Sequence, residues 1–264
     1  MKRAGLTLVE LLVVFAVIAL LMALLVPVLQ SFRRQAKAVL CGSNIRELLI
    51  GLAAYEAENE ILPFGFKDSL TPPPGGRPGG HGYDRMGWWW FNYITDYSTK
   101  DKGKGTSLLC PSRCLTNPKL KDNVLCGNYG VNLSICKSSS GRKSRDEFIG
   151  MPLCTTDISH PDQTLLIVDS GYSIINWWHA ADIPPASLGN TIIEDTAYIP
   201  GLKVNKERNL WPGQEHDAIY GRHPNKTVNV GFADGRVKCI KADDLLVEKT
   251  EDDYKNRSPL WRPK

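Results

Sequence analysis

The first thirty residues contain the longest apolar segment of the chain. Nearly every position from 6 to 29 is apolar, Lys2 and Arg3 precede this run, and Glu10 is the one charged residue inside it. About twenty apolar residues in a helix span the hydrocarbon core of a bilayer, which is about 30 Å thick. We therefore predict a transmembrane helix over residues 6–29, with a bend at Pro27.

Beyond this run the apolar pattern predicts that the helix continues, with apolar residues on one face only. Apolar residues recur every three or four positions, as expected for one face of a helix, at Cys41, Ile45, Leu48, Leu52 and Tyr55. We predict an extramembrane helix over 30–62, stopped by Pro63 and packed on a head formed by 63–264. Two separate helices, broken at Pro27 or Gly42, are the alternative.

The head carries loop, aromatic and strand signals. Residues 71–82 are rich in proline and glycine and predict a loop, and the aromatic cluster at 88–93 predicts core or subunit packing. Residues 164–168 form an apolar, β-branched run that predicts a strand. The fold class is therefore α+β: a long N-terminal helix packed on a globular head with an antiparallel β-sheet.

The clearest strand signal is a hairpin over residues 227–239. Asp234-Gly235 separates two alternating runs and predicts a two-residue turn. This turn places Phe232 opposite Val237 and Val230 opposite Cys239. The predicted buried face is then formed by Val228, Val230, Phe232, Val237 and Cys239, and the predicted opposite face by Asn229, Arg236 and Lys238.

Composition limits the classes of function. The chain has 264 residues, 42% of them apolar, so the head is long enough to bury a core. A net charge of +4 is too small to indicate nucleic-acid binding. The cations on both sides of the apolar run do not decide the orientation of the helix.

The block Gly5-Leu6-Thr7-Leu8-Val9-Glu10, followed by a long apolar helix, resembles the class III signal of type IV pilins and type II secretion pseudopilins. The apolar stretch of a secretory signal peptide is shorter and uncharged, and a plain signal anchor leaves Gly5 and Glu10 unexplained. The resemblance implies cleavage after Gly5 by a prepilin peptidase and methylation of Leu6, where Phe is usual. It also implies that Glu10 meets the terminal amine of a neighbouring subunit, that Pro27 bends the helix, and that the N-terminus is cytoplasmic.

A second resemblance lies toward the C-terminus. His223 followed by Asp234-Gly235 is similar to a motif of His, nine residues and Asp-Gly that ends many pilin-like proteins, although the spacing here is ten. Further fragments of the same resemblance are Cys41 with Asn44, Cys110-Pro111-Ser112, residues 128–132 and residues 166–169.

Acid–base or metal chemistry in the head would have to use its histidines and carboxylates. The candidates are His223, Asp234, Asp169 and His216. The chain has no zinc-protease, nucleophile-elbow or phosphate-loop motif. The interpretation favoured is a structural hydrogen bond from His223 that pins the turn at 224–226, with metal binding and catalysis as alternatives. No catalytic residue, metal or cofactor is expected.

Six of the seven cysteines lie in the head, and the seventh, Cys41, lies in the helix. In an extracytoplasmic head disulfides are the expectation, among Cys110, Cys114, Cys126, Cys136, Cys154 and Cys239. The alternatives are a zinc site formed by the first four of these, and free thiols.

The sequence and its resemblances predict a pilin-like structural subunit rather than an enzyme. Its expected partners are a prepilin peptidase, other pilin or pseudopilin subunits, the inner-membrane assembly platform and membrane lipid. The expected location is the cytoplasmic membrane, with the head outside the cytoplasm and then in a periplasmic or surface filament. The alternative is a single-span anchored enzyme, or a ligand- or metal-binding head, that does not polymerise.

Overall fold

A computed structural model describes the chain over residues 8–68, 87–98, 106–121, 123–139, 146–183, 197–251, 253–256 and 259–263. The predicted leader at 1–5 and the loop at 71–82 lie outside the described residues. Three α-helices occur in the described part of the chain: α1 (Leu8–Asn59), α2 (Trp90–Ser98) and α3 (Pro118–Lys121).

Helix α1 is a single helix of 52 residues that continues through Pro27 and Gly42. The prediction of one helix is confirmed and the two-helix alternative is wrong. At 1.5 Å per residue the helix is about 78 Å long. It ends three residues before the predicted limit because Glu60 adopts a left-handed conformation (φ 64°), and its N–H donates to the carbonyl of Glu56 at 2.8 Å.

Only the second half of α1 contributes to the core. The predicted stripe is confirmed: Cys41, Ile45, Leu48 and Leu52 are buried, and Tyr55 is partly buried against the core. Two glycines bring this half close to the sheet. Gly42 lies against Asn229 and Val237, and Gly231 lies against Ile45 and Leu49.

The head is organised around a five-stranded sheet. The nine strands described are β1 (Phe66–Asp68), β2 (Gly87–Trp89), β3 (Tyr129–Asn132), β4 (Leu165–Asp169), β5 (Ile174–Ile175), β6 (Thr227–Phe232), β7 (Val237–Lys241), β8 (Val247–Lys249) and β9 (Tyr254–Asn256). The central order is β5-β3-β4-β6-β7, parallel between β3 and β5 and antiparallel elsewhere, while β1–β2 and β8–β9 form two small ribbons. The α+β class is confirmed, and so is the strand predicted at 164–168.

Short helical turns connect these strands. They are 3₁₀ turns at Thr106–Leu108, Asp146–Phe148, Thr155–Asp157, Trp177–Ala180, Lys203–Glu207, Pro224–Lys226 and Ala242–Leu245, and a π turn at His216–Tyr220. The aromatic cluster at 88–93 packs into the core, as predicted. Trp89 and Trp90 are buried, Trp89 meets Phe66 with ring centroids 4.8 Å apart, and the indole of Trp90 donates to the carbonyl of Ser173 at 2.9 Å.

The β6–β7 hairpin forms, but its predicted register is wrong by one residue. Gly231 rather than Phe232 pairs with Val237. The connection is a three-residue loop in which Gly235 alone is left-handed (φ 87°), and the N–H of Phe232 donates to the carbonyl of Arg236 at 2.8 Å.

Tertiary hydrogen bonds account for the longer loop. The N–H groups of Ala233 and Asp234 donate to the carbonyls of Thr164 and Pro161, ahead of β4. The carboxylate of Asp234 accepts from the N–H of Arg236 at 3.0 Å. Asp234 therefore caps the loop instead of occupying a left-handed position in a two-residue turn.

The register change reassigns the faces of β7. A slip of one residue moves every side chain of a strand to the other face. Val237 and Cys239 therefore share a face with Asn229, opposite to the prediction, and Cys239 is exposed. Asn229, predicted to lie on the opposite face, is buried beside α1 and donates to the carbonyl of Ala38 at 3.2 Å.

Candidate functional site

The first half of α1 is an apolar surface that the rest of the described chain does not cover. Its large apolar side chains are exposed from Leu8 (81%) to Leu40 (56%). The helix is long and apolar enough to cross a membrane by length and composition. Exposed apolar surface on this scale marks contact with a membrane or with protein partners.

The sequence-predicted processing and assembly residues belong to this half of the chain. Gly5 and Leu6 lie outside the described residues. Glu10 is exposed in the first described turn of α1, and Pro27 lies inside the continuous helix. The roles assigned to these four residues stay predictions.

A second feature begins where α1 reaches the head. There the thiol of Cys41 meets three side chains from distant parts of the chain, and the four potential ligand atoms lie within 4.8 Å of one another. We call this group the junction cluster. Its members, all buried, are Cys41, Cys110, Asp169 and His223.

The contacts in the junction cluster are short. The sulfurs of Cys41 and Cys110 are 3.5 Å apart, and the Cys41 thiol donates to Oδ1 of Asp169 at 3.0 Å. Nε2 of His223 lies 3.0 Å from Oδ2 of Asp169. Nδ1 of His223 is buried without a hydrogen-bond partner in the described part of the chain.

Local structure positions each member of the junction cluster. Cys41 lies on the buried stripe of α1, and Asp169 is the last residue of β4. Cys110 is held through its N–H, which donates to Oδ1 of Asn128 at 2.9 Å. The backbone N–H of Asn229 donates to Oδ2 of Asp169 at 2.7 Å, and the side-chain Nδ2 of Asn229 lies 3.3 Å from Nε2 of His223.

The electrostatics of the junction cluster favour charged forms at three of its four members. Burial opposes charge at Cys110, but its interactions with the neighbouring Cys41 thiol and the His223 imidazole lower its pKa to about 6. Burial likewise opposes the imidazolium, yet the Asp169 carboxylate raises the pKa of His223 to about 10. The same pairing outweighs burial at Asp169 and lowers its pKa. Burial and the hydrogen bond to Cys110 raise the pKa of Cys41 well above its ordinary value.

A buried ion pair lies next to the junction cluster in the chain, directly before His223. Arg222 and Asp217 have fully buried side chains, joined by contacts of 2.6 Å (Nη2–Oδ2) and 3.1 Å (Nε–Oδ1). Arg222 also donates to the carbonyls of Asn128 and Ser170, and the hydroxyl of Tyr198 donates to Asp217 at 2.9 Å. The pair therefore ties the segment before His223 to the ends of β3 and β4.

The structure separates the residues of the C-terminal motif. His223 contacts Asp169 and Asn229, while Asp234 forms a partly exposed ion pair with Arg236 at 2.6 Å. His216 lies against the ring of Tyr220 in a tilted arrangement, with ring centroids 5.4 Å apart. Of the four acid–base candidates, only His223 and Asp169 come together.

The cysteines of the described chain are free thiols, which is one of the three alternatives left open by the sequence. All seven lie within the described residues, and none forms a disulfide there. The sulfur close to Cys110 belongs to Cys41, which lies in α1 and is not one of the six head cysteines. The expected disulfides stay a prediction. The metal-capable group contains Cys110 but none of Cys114, Cys126 and Cys136.

Comparison with known proteins identifies the N-terminal segment. Residues 1–26 match the family model described as the prokaryotic N-terminal methylation motif. The chain has no significant match among curated proteins or among solved structures. The start of this chain thus carries a prepilin-type cleavage and methylation signal, on a pilin-like α+β architecture.

Proposed function

We propose that this chain is a pilin-like structural subunit that assembles through its N-terminal helix into a type IV pilus-like or type II secretion filament. A prepilin peptidase cleaves it after Gly5 and methylates Leu6. Before assembly the first half of α1 lies in lipid with the N-terminus in the cytoplasm, and the inner-membrane platform then extracts it. The head remains outside the cytoplasm.

One observation carries this proposal: the methylation motif leads into an apolar helix that is exposed on all sides and continuous with the head. The motif covers residues 1–26, and the helix is exposed as far as Leu40. A helix apolar all round must be buried in a membrane or among other helices. A pilin-type filament supplies both environments in succession.

Glu10 fits the same proposal. A carboxylate in an apolar helix is expensive to bury unless a cation meets it. The terminal amine of a neighbouring processed subunit, created by cleavage at Leu6, supplies that cation. The alternative of an anchored head that never polymerises offers no comparable partner from another chain.

The experiment compares processing with assembly. In a host that carries a prepilin peptidase and its assembly platform, intact mass should show a chain that begins at methylated Leu6. Glu10→Gln should be processed and inserted normally but incorporated poorly into filaments, because breaking a buried charge pair costs about 3–5 kcal/mol. Glu47→Gln, at an exposed position further along α1, is the matched control.

Two results would contradict the proposal. Recovery of a chain that still begins at Met1 would remove the prepilin processing. Wild-type assembly of Glu10→Gln would show that the carboxylate has no role in subunit contact.

A further inference from the structure

We propose that the junction cluster is a four-ligand site for a zinc-type divalent metal ion, which ties the filament helix to the head. The ligands are the thiolates of Cys41 and Cys110, a carboxylate oxygen of Asp169 and an imidazole nitrogen of His223. This proposal is independent of polymerisation, since it concerns only contacts within one chain.

The spacing of the donor atoms suits a tetrahedral ion. Zinc binds sulfur at about 2.3 Å and nitrogen or oxygen at about 2.0–2.2 Å, so neighbouring ligand atoms lie roughly 3.2–3.8 Å apart. The Cys41 and Cys110 sulfurs are 3.5 Å apart, and the Cys41 sulfur lies 3.0 Å from Oδ1 of Asp169. An ion at the centre requires shifts of well under an ångström in these pairs.

The chemistry of the donors selects the class of metal. Two thiolates and an imidazole favour zinc-type ions over magnesium or calcium, which prefer oxygen ligands. A four-ligand set that is buried throughout leaves no position for a reactive water, as in structural zinc sites. The site is therefore structural, not catalytic.

The surroundings of the junction cluster supply the outer contacts that metal ligands need. The carboxylate of Asp169 is oriented by the N–H of Asn229, which occupies Oδ2 and leaves Oδ1 directed toward Cys41. Cys110 is held through its backbone by Asn128. Outer contacts of this kind orient the ligands of protein metal sites.

Burial also argues that the junction cluster is completed by an ion. The four side chains come from α1, the segment before β3, the end of β4 and the segment before β6. Buried polar groups require partners, and Nδ1 of His223 has none within the described residues. A metal bond satisfies both thiolates and the imidazole at once.

The alternative use of the two thiols is a disulfide between Cys41 and Cys110. It would also join α1 to the head, but it would remove two of the four ligands and leave Nδ1 of His223 without a partner among the described residues. The zinc proposal assigns a role to all four side chains. The two possibilities give different chemical readouts.

The test uses the full-length chain, purified in detergent under anaerobic, reducing conditions. After reconstitution with Zn²⁺ and removal of loosely bound metal, elemental analysis should find about one zinc per chain. Replacement by Co²⁺ should produce the visible bands of a tetrahedral ion together with thiolate-to-cobalt charge transfer. Cys110→Ser and His223→Ala each remove one ligand and should lower the amount of bound metal at least tenfold.

Matched variants separate ligation from general damage. Cys136→Ser removes a buried cysteine outside the junction cluster, Cys239→Ser removes an exposed one, and both should retain wild-type metal content. A strong chelator should lower the melting temperature of the wild type and of these controls. If a ligand variant fails to fold, the cobalt spectrum and zinc content of the wild type still decide the question.

Two outcomes would overturn the proposal. The first is a reconstituted wild type without bound zinc or cobalt whose Cys41 and Cys110 are both alkylated. The second is a disulfide between these cysteines, found by mapping peptides from protein isolated from the native host, in a head that melts independently of chelator.

Discussion

Loss of the buried arginine should destabilise the head far more than loss of an exposed one. Arg222→Met removes a guanidinium that is fully buried against Asp217 and leaves that carboxylate without its cation. Removing one partner of a buried ion pair costs about 3–5 kcal/mol. The carbonyls of Asn128 and Ser170 also lose a donor, so the upper part of this range is expected.

Arg236→Met is the internal control. Arg236 pairs with Asp234 in the hairpin loop, but its side chain is 58% exposed and that of Asp234 is 25% exposed. Exposed ion pairs contribute about 0–1 kcal/mol. The same substitution is therefore made twice, on two ion pairs that have the same 2.6 Å separation and differ strongly in burial.

The measurement is urea unfolding of the full chain in detergent, with tryptophan fluorescence as the signal. All seven tryptophans lie in the head, at residue 88 or beyond, so the signal reports on the head and not on the exposed half of α1. Equal slopes of unfolding free energy against urea would show that the compared states are the same.

A double-mutant cycle completes this test. Arg222→Met combined with Asp217→Asn removes the stranded charge, so the double variant should recover about 1–3 kcal/mol relative to the sum of the single losses. The reasoning is refuted if Arg222→Met costs no more than Arg236→Met, or if the two single losses simply add.

Two glycines provide further tests by the same measurement. A Cβ at Gly231 would lie 2.6–2.9 Å from side-chain atoms of Ile167, Leu49 and Ile45. Gly231→Ala should therefore lower the free energy of unfolding by about 1–3 kcal/mol, because it pushes α1 away from the sheet. A loss under about 0.5 kcal/mol would contradict this close packing. Gly235 has open space around it but a φ of 87°. Gly235→Val should therefore lower the free energy of unfolding by about 1–2 kcal/mol through the backbone alone, and Gly235→Asn should lower it less. Equal stability of the wild type and both variants would show that the loop does not need this conformation.

The elements that depend on local periodicity were predictable from the sequence. The stripe from Cys41 to Tyr55 has the spacing of one helix face, and the head covers that face. The strand Leu165–Asp169 is a short apolar run with β-branched residues. In both cases each residue's environment follows from neighbours close in sequence.

The hairpin shows where local reasoning ends. The Asp-Gly signal placed the connection correctly between β6 and β7, but two-residue and three-residue loops are both compatible with it. The choice depends on Ala233 and Asp234 donating to the carbonyls of Thr164 and Pro161, about seventy residues earlier in the chain. A hydrogen bond over that distance leaves no trace in the alternation of β6 or β7.

The junction cluster could not be predicted from the sequence for a related reason. Its four members are separated by 54 or more residues, and none lies in a short ligand motif. Cys41, Cys110, Asp169 and His223 do lie in the separate sequence fragments that suggest a second pilin-like resemblance, and that resemblance stays a prediction. Only the fold shows that those fragments converge on one centre.

The position of this centre determines how the helix is seated on the head. An apolar stripe alone permits a helix to slide by one turn, about 5.4 Å, onto an equivalent set of contacts. Polar contacts do not tolerate that shift: Asn44 donates to the hydroxyl of Tyr129 and to the carbonyl of Leu109, each at 3.1 Å, and Cys41 donates to Asp169. These contacts lie where α1 changes from exposed to buried, so they select one register for the whole helix. In a filament built on α1, the polar junction rather than the apolar stripe would define where each head stands.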